Sequence, residues 1–406
     1  MLSHHESKSC RLMLACVLVS ALLAGAGKST LCAREEPGYS EREKILSDFR
    51  AERSRIIREP AEMRRQLRSV QADIRKRNLK FVVELNEAMK YEIAAITGAK
   101  VPGTIERDAR TQTQWGEKLW LELLRKYRER QRKLEERKKK PVVIDDESKK
   151  MEEKKLPDDE KKDLADREDK KPDTDIIDVP LPSAVAFSWI DRNGVTDVRH
   201  QRTCGSCWAF TSMAVFEANW LIRNKESIDL SEQHIVDCAE YRNGRDAGSC
   251  NGGWYGGVFD YLTRNSAVIE SKKPYRARNS VCTPVMQREE YRVAAWGYLN
   301  KNARMPSNDE IKEALCKYGP IAACVKVTPA FQAYKRGIFD EHARVSGVRD
   351  INHAITIVGW DDTKKAWLVK NSWGPGWGEK GYIWVEYGCN NIGYGATWMV
   401  VERVKE

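Results

Sequence analysis

The chain has 406 residues, 41% hydrophobic and 32% charged, with a formal net charge of +10 at pH 7. That length is long for one domain and short for three, and the apolar share suffices for a core. Residues 1–178 hold 41 Lys+Arg against 35 Asp+Glu and residues 179–406 hold 29 against 25. A cationic excess so diffuse, with no recognition motif beside it, excludes nucleic acid as the expected partner.

The chain opens like an export signal. His4, His5, Lys8 and Arg11 precede an apolar run from Leu12 to Leu23, and Ala24-Gly25-Ala26 supplies a small-residue cleavage pattern. The run is too short for a good membrane span, so residues 1–26 are expected to be a signal peptide and no stable span is expected after its removal. Of eleven cysteines, Cys10, Cys16 and Cys32 belong to this region and the other eight lie beyond residue 200. An oxidising compartment permits disulfides among those eight.

Residues 40–135 read as helix. Phe81, Val82, Leu85, Met89, Ile93 and Ile96 recur at helical spacing, as do Trp120, Leu123, Leu124 and Tyr127, with Pro102-Gly103 as a break between them. Residues 27–135 are therefore expected to be a helical segment whose apolar stripes pack on the part that follows or on each other. Residues 136–178 carry runs such as Arg137-Lys138-Lys139-Lys140 and Asp158-Asp159-Glu160-Lys161-Lys162. Such runs bury too little apolar area to offset ordering entropy, which predicts a charged, protease-accessible linker.

At Val179-Pro180-Leu181-Pro182 the composition changes, and residues 179–406 read as a globular domain. Cys207 to Arg223 predicts a long buried helix, followed by a second helix around Ser231–Cys238. The runs Ala354–Trp360, Ala366–Lys370, Gly381–Glu386 and Thr397–Arg403 predict short strands. Helices first and strands later predict an α+β architecture in two sub-domains.

Four motifs fall in order: Gln201-Arg202-Thr203-Cys204-Gly205-Ser206-Cys207-Trp208, Cys250-Asn251-Gly252-Gly253, Asn352-His353-Ala354, and Asn371-Ser372-Trp373-Gly374 with Gly376-Trp377-Gly378 following. Over residues 179–406 the chain thereby resembles the papain family of cysteine peptidases. The resemblance implies a helical sub-domain and a β-barrel-like sub-domain with an active-site cleft between them. It implies Cys207 as nucleophile, His353 as its acid–base partner, Asn371 as the group orienting His353, and Gln201 as an oxyanion donor. Trp373 would cover the His353–Asn371 hydrogen bond. A thiolate–imidazolium pair is expected, with a thiol pKa of about 3–4 rather than about 8.5.

The same resemblance places Gly253 where substrate backbone pairs, with Trp254, Tyr255, Cys324 and Ile351 on the wall of the S2 pocket and Gly395 or Ala396 at its floor. These residues are small or apolar, which predicts an apolar preference at the second substrate position. It also implies the disulfides Cys204–Cys250 and Cys238–Cys282, and leaves a Cys316–Cys389 bridge open. The resemblance implies that residues 27–135 are a helical pro-segment, although the family's interspersed helix motif is missing from it, and Arg202 stands where the family usually has Gly. No His-His insertion of the kind that makes some relatives carboxydipeptidases is present, so an endopeptidase is expected. The whole expectation is an exported, monomeric zymogen (extracellular or periplasmic, or lysosomal or vacuolar in a eukaryote) that acts on peptides and proteins. It would be inhibited by its own pro-segment and use no cofactor and no metal.

Overall fold

The computed structural model describes residues 57–139, 181–288 and 290–404. The expected signal peptide, and the linker beyond residue 139, lie outside these residues. No described helix is long and apolar enough to cross a membrane.

The N-terminal part comprises helix α1 (Pro60–Arg77), strand β1 (Phe81–Val83), a 3-10 turn (Glu87–Lys90), the short helix α2 (Ile93–Ile96) and the long helix α3 (Ile105–Lys139). The continuous helix expected through residues 81–96 is therefore not observed. Its place is taken by an edge strand and two short turns. Phe81 and Val83 face inward while Val82 faces out, the period-2 alternation of a strand. β1 pairs antiparallel with β7 (Tyr334–Phe339), Phe81 opposite Gly337 and Val82 opposite Arg336. The stripe residues still find a core: Phe81, Met89 and Ile96 join one buried cluster with Phe331, Tyr334, Phe339, Trp373 and Trp377. The second expected helix is present as α3 and runs past the expected boundary at 135.

In the globular part the helices come first. They are α4 (Cys207–Asn224), α5 (Glu232–Cys238) and α6 (Tyr255–Leu262), followed in the second half by α7 (Asn308–Tyr318) and the single turn α8 (Pro329–Gln332). Helix α4 is buried over most of its length, including Trp208, Phe216 and Trp220. It stops where Lys225 turns left-handed at φ 55°, a conformation that costs a non-glycine residue little only as a single cap. The Ser231 hydroxyl caps α5 by accepting the His234 amide.

The remaining strands are β2 (Ala186–Ser188), the two-residue pair β3 (Gly248–Ser249) and β4 (Gly252–Gly253), β5 (Glu290–Tyr298), β6 (Ile321–Val325), β8 (His353–Asp361), β9 (Ala366–Lys370), β10 (Tyr382–Glu386) and β11 (Tyr394–Val404). They build a sheet in the order β1-β7-β10-β9-β8-β6-β11-β5, with β2 on β8. Every residue of β8 is buried, as a strand covered on both faces requires. β8 lies between β6 and β9, with His353 opposite Val325 and Thr356 opposite Lys370. That register brings the start of β8 beside the end of β9. The α+β architecture expected from the sequence is thus observed. Both implied disulfides, Cys204–Cys250 and Cys238–Cys282, are formed. Cys316 and Cys389 are free thiols, so the bridge left open between them does not form.

Candidate active site

Cys207 is the first residue of α4, at the positive end of the helix macrodipole. Ser206 makes no side-chain cap on this helix; its hydroxyl bonds the Tyr275 hydroxyl at 2.7 Å instead. The Cys207 sulfur accepts the backbone N–H of Ala354 at 3.4 Å, which seats it directly beside the start of β8 and His353.

His353 Nε2 is 2.8 Å from Asn371 Oδ1. The same Oδ1 accepts the Ser372 N–H at 2.8 Å, so the oxygen side of the amide is fixed and Nε2 must donate. Nδ1 is then the bare acceptor of the neutral ring, and it is buried without a hydrogen-bond partner. The Trp373 ring lies 4.9 Å from the His353 ring and backs onto Trp377 and Phe331.

Gln201 is fully buried. Its Oε1 accepts the Ser372 hydroxyl at 2.6 Å, and its Nε2 donates to Cys204 O at 2.8 Å and to Ile96 O at 3.1 Å. Trp373 Nε1 donates to the same Ile96 carbonyl at 2.9 Å. Ser372 thus orients both Asn371 and Gln201, a role the sequence motif did not disclose. Arg202, where a glycine is usual, has φ 55°; its amide donates to His200 Nδ1 at 3.0 Å, which helps hold this left-handed turn.

The cleft is filled by the chain's own residues 96–101. Gly253 N–H donates to Gly98 O at 2.8 Å, Lys100 N–H to Gly253 O at 2.9 Å and Ala99 N–H to Asn352 O at 2.9 Å. Ala99 and Gly253 form a parallel bridge, so the Gly253 backbone pairs with this segment. Gly98 approaches so closely that a β-carbon there would lie 2.9 Å from Gly205 Cα and closer still to the Gly205 carbonyl. Nothing in the sequence singled out Thr97-Gly98-Ala99. A run of small residues between an apolar stripe and Pro102 was the available signal.

This cover changes the electrostatics expected of the pair. Burial pushes the Cys207 thiol up to about 12, against a smaller opposing effect of amides from Ala354, Gly98, Trp208 and Ala99. Burial likewise holds the His353 imidazole down at about 4, although the bond to Asn371 favours its charge. Under this cover, burial disfavours separated charge on both groups.

The expected S2 wall residues Trp254, Tyr255, Cys324 and Ile351 come together in one buried cluster with Ala99 and Cys207. Two of them are tied inward. Trp254 Nε1 donates to the Tyr298 hydroxyl at 2.9 Å and its ring stacks on Tyr255 at 4.2 Å. The Tyr255 hydroxyl donates to Gly395 O at 2.6 Å and accepts from the Cys324 thiol at 3.7 Å. A β-carbon on Gly395 would meet Trp254 at 2.8 Å and the Tyr255 hydroxyl at 2.9 Å. Ala396 is buried in the neighbouring cluster. Behind the site, Lys370 Nζ bonds Thr196 O at 2.7 Å, and Glu217 accepts the Thr196 hydroxyl at 2.6 Å. His234 and His342 pair with Tyr261 and Glu386, away from this constellation. Among the described residues no cluster of His, Cys, Asp and Glu could hold a metal ion.

The globular part of the chain resembles known proteins. Over 215 residues the chain is 35% identical to ananain of Ananas comosus, covering 52% of this chain and 57% of that one. It is 34% identical over 221 residues to pro-cathepsin H of Medicago truncatula, covering 54% and 61%. The chain thus spans about six-tenths of the length of these curated relatives. Among solved structures, that of digestive procathepsin L 3 of Tenebrio molitor larval midgut shares the fold with a TM-score of 0.55 at 20% identity, covering 90% of this chain and 100% of that one. The family model described as papain family cysteine protease matches residues 183–401, and the chain belongs to that family.

Proposed function

We propose that this chain is the exported zymogen of a cysteine endopeptidase, held silent by residues 57–139. The observation that carries the reading is the convergence of Cys207, His353, Asn371 and Gln201 beneath a backbone segment of the same chain. With that segment gone, water and substrate enter and the proton of the Cys207 thiol passes to His353 Nδ1. The thiolate attacks the scissile carbonyl carbon, forming a C–S bond and a tetrahedral oxyanion. The Gln201 side-chain amide, freed from Ile96 O, and the Cys207 backbone N–H stabilise that charge. One such donor is worth roughly 3–4 kcal/mol in the transition state. His353 gives its proton to the leaving amine as the C–N bond breaks. It then takes a proton from water as the water oxygen attacks the acyl carbon; the C–S bond breaks and the proton returns from His353 to the sulfur, releasing the acid and the free thiol. Asn371 keeps the ring facing the sulfur throughout.

Substrate lies extended along Gly253, and its second residue meets an apolar wall containing Ile351 and Cys324. Export is supported by the signal-like N-terminus and by two disulfides. The test is a Cys207→Ala chain compared with the parent after removal of residues 1–180. The parent hydrolyses a fluorogenic peptide and is labelled by a peptidyl epoxide, and the variant does neither. Hydrolysis that persists in the variant refutes the nucleophile assignment.

A further inference from the structure

The inhibitory segment does not end at the cleft. After Pro102-Gly103 the chain enters α3, whose inward stripe of Ile105, Ala109, Thr113, Gly116 and Trp120 follows the i, i+4, i+8 spacing of a helix face. This stripe covers β5, the outermost strand of the sheet. An outer strand leaves backbone carbonyls unpaired on one side, and here the helix supplies the partners. Gln112 Nε2 donates to Trp296 O at 2.9 Å and the Thr113 hydroxyl to Tyr298 O at 3.3 Å. Helix and strand touch backbone to backbone: a β-carbon on Gly116 would lie 2.8 Å from Trp296 C and closer still to its oxygen.

Beyond the strand, Trp120 meets the Tyr318 ring edge-on at 5.7 Å and lies under the Arg223 guanidinium at 5.2 Å. Glu106 pairs with Arg304 at 2.8 Å at the rim. These α3 contacts involve neither Cys207 nor His353 nor the Gly253 backbone. From residue 125 to 133 the helix is exposed, so its docked part is the half nearer the cleft.

We propose that the β5 edge, with Tyr318 and Arg223, is an exosite for an amphipathic helix carrying a glycine at its point of closest approach. We propose further that α3 occupies it as an anchor that outlasts a cut in the chain. This rests on the reading of residues 57–139 as inhibitory. Only three residues, Pro102 to Thr104, separate the anchor from the chain crossing the cleft. A docked α3 therefore holds residues 96–101 over Cys207 at an effective concentration of order millimolar, as short tethers do. A single cut between α3 and residue 181 then leaves a two-chain, still silent complex, and activity needs a second event that dislodges α3.

The test uses the full chain with a recognition sequence for a site-specific protease inserted between Asp158 and Asp159. After cutting, the parent fragments are expected to co-elute on size exclusion and to hydrolyse a fluorogenic peptide at under a tenth of the rate of the trimmed enzyme. The same chain with Gly116→Leu, cut in the same way, should release its N-terminal fragment and gain at least tenfold in rate. Trp120→Ala, which adds no bulk, serves if the leucine variant fails to fold. Parent fragments that separate on cutting overturn the anchor, and so does a cut Gly116→Leu or Trp120→Ala chain that stays assembled and silent. An uncut parent as active as the trimmed enzyme instead refutes the inhibitory reading itself.

Discussion

Replacing Gly98 by alanine should switch the intact chain on. The added β-carbon would sit 2.9 Å from Gly205 Cα and deeper inside the Gly205 carbonyl. Neither side can yield cheaply, because both atoms groups are backbone. Gly205 is itself held by its N–H to Cys250 O at 2.8 Å, next to the Cys204–Cys250 disulfide. Relief to an ordinary C···O contact of about 3.3–3.6 Å requires lifting the segment from the cleft floor. That lift stretches the three backbone bonds that seat it: Gly253 N–H to Gly98 O at 2.8 Å, Lys100 N–H to Gly253 O and Ala99 N–H to Asn352 O, both at 2.9 Å. At about 1 kcal/mol net for each bond, the covered state loses about 3 kcal/mol, a shift of roughly a hundredfold toward the open cleft. The assay is the initial rate on a fluorogenic peptide, with mass spectrometry confirming that the chain is uncut. An intact Gly98→Ala chain as silent as the parent would show that the Gly98–Gly205 approach does not hold the cover in place.

Three further outcomes are expected. In a Cys207→Ala chain, where no thiolate can compensate the ring's charge, the covered imidazole at about 4 against its ordinary 6.5 makes the cover strongest above pH 6.5 and weaker as pH falls toward 4; the hydrogen-exchange protection factor of the Gly253 amide should fall over that window, and a flat profile rejects the linkage. Ser372→Ala leaves Gln201 Oε1 buried without its hydroxyl donor, so kcat of the trimmed enzyme should drop about tenfold with KM nearly unchanged, whereas an unchanged kcat would remove Ser372 from the positioning machinery. Asn371→Ala frees the His353 ring and should lower kcat/KM by about tenfold or more, with the acid limb of the pH–rate profile moving as well; an unaltered profile contradicts the orienting role.

The convergence of the candidate site residues was legible because they fall in short motifs. Cys207, Gln201 and the disulfide partner Cys204 sit within seven residues, and His353 and Asn371 each open or follow a strand with a clear apolar pattern. The path of residues 81–96 was not legible. Phe81, Leu85, Met89, Ile93 and Ile96 mimic a helical repeat, yet the partner that makes Phe81–Val83 a strand lies some 250 residues further along, where no local pattern can register it. The apolar character of Trp254 and Tyr255 was readable, but not that hydrogen bonds to Tyr298 and Gly395 tie both inward. The effect of burial on Cys207 and His353 was hidden for a related reason. It depends on what lies over the cleft rather than on the two residues themselves.

The sheet order carries one more consequence. The N-terminal part supplies the strand beyond β7 and the helix beyond β5, so it closes both margins of the same sheet. Stripping it away bares two rows of unsatisfied peptide groups at once, each a template for another chain. A nascent domain synthesised without residues 57–139 would meet crowded cytosol or lumen with both flanks open, and self-association would compete with folding from the first moment the strands form.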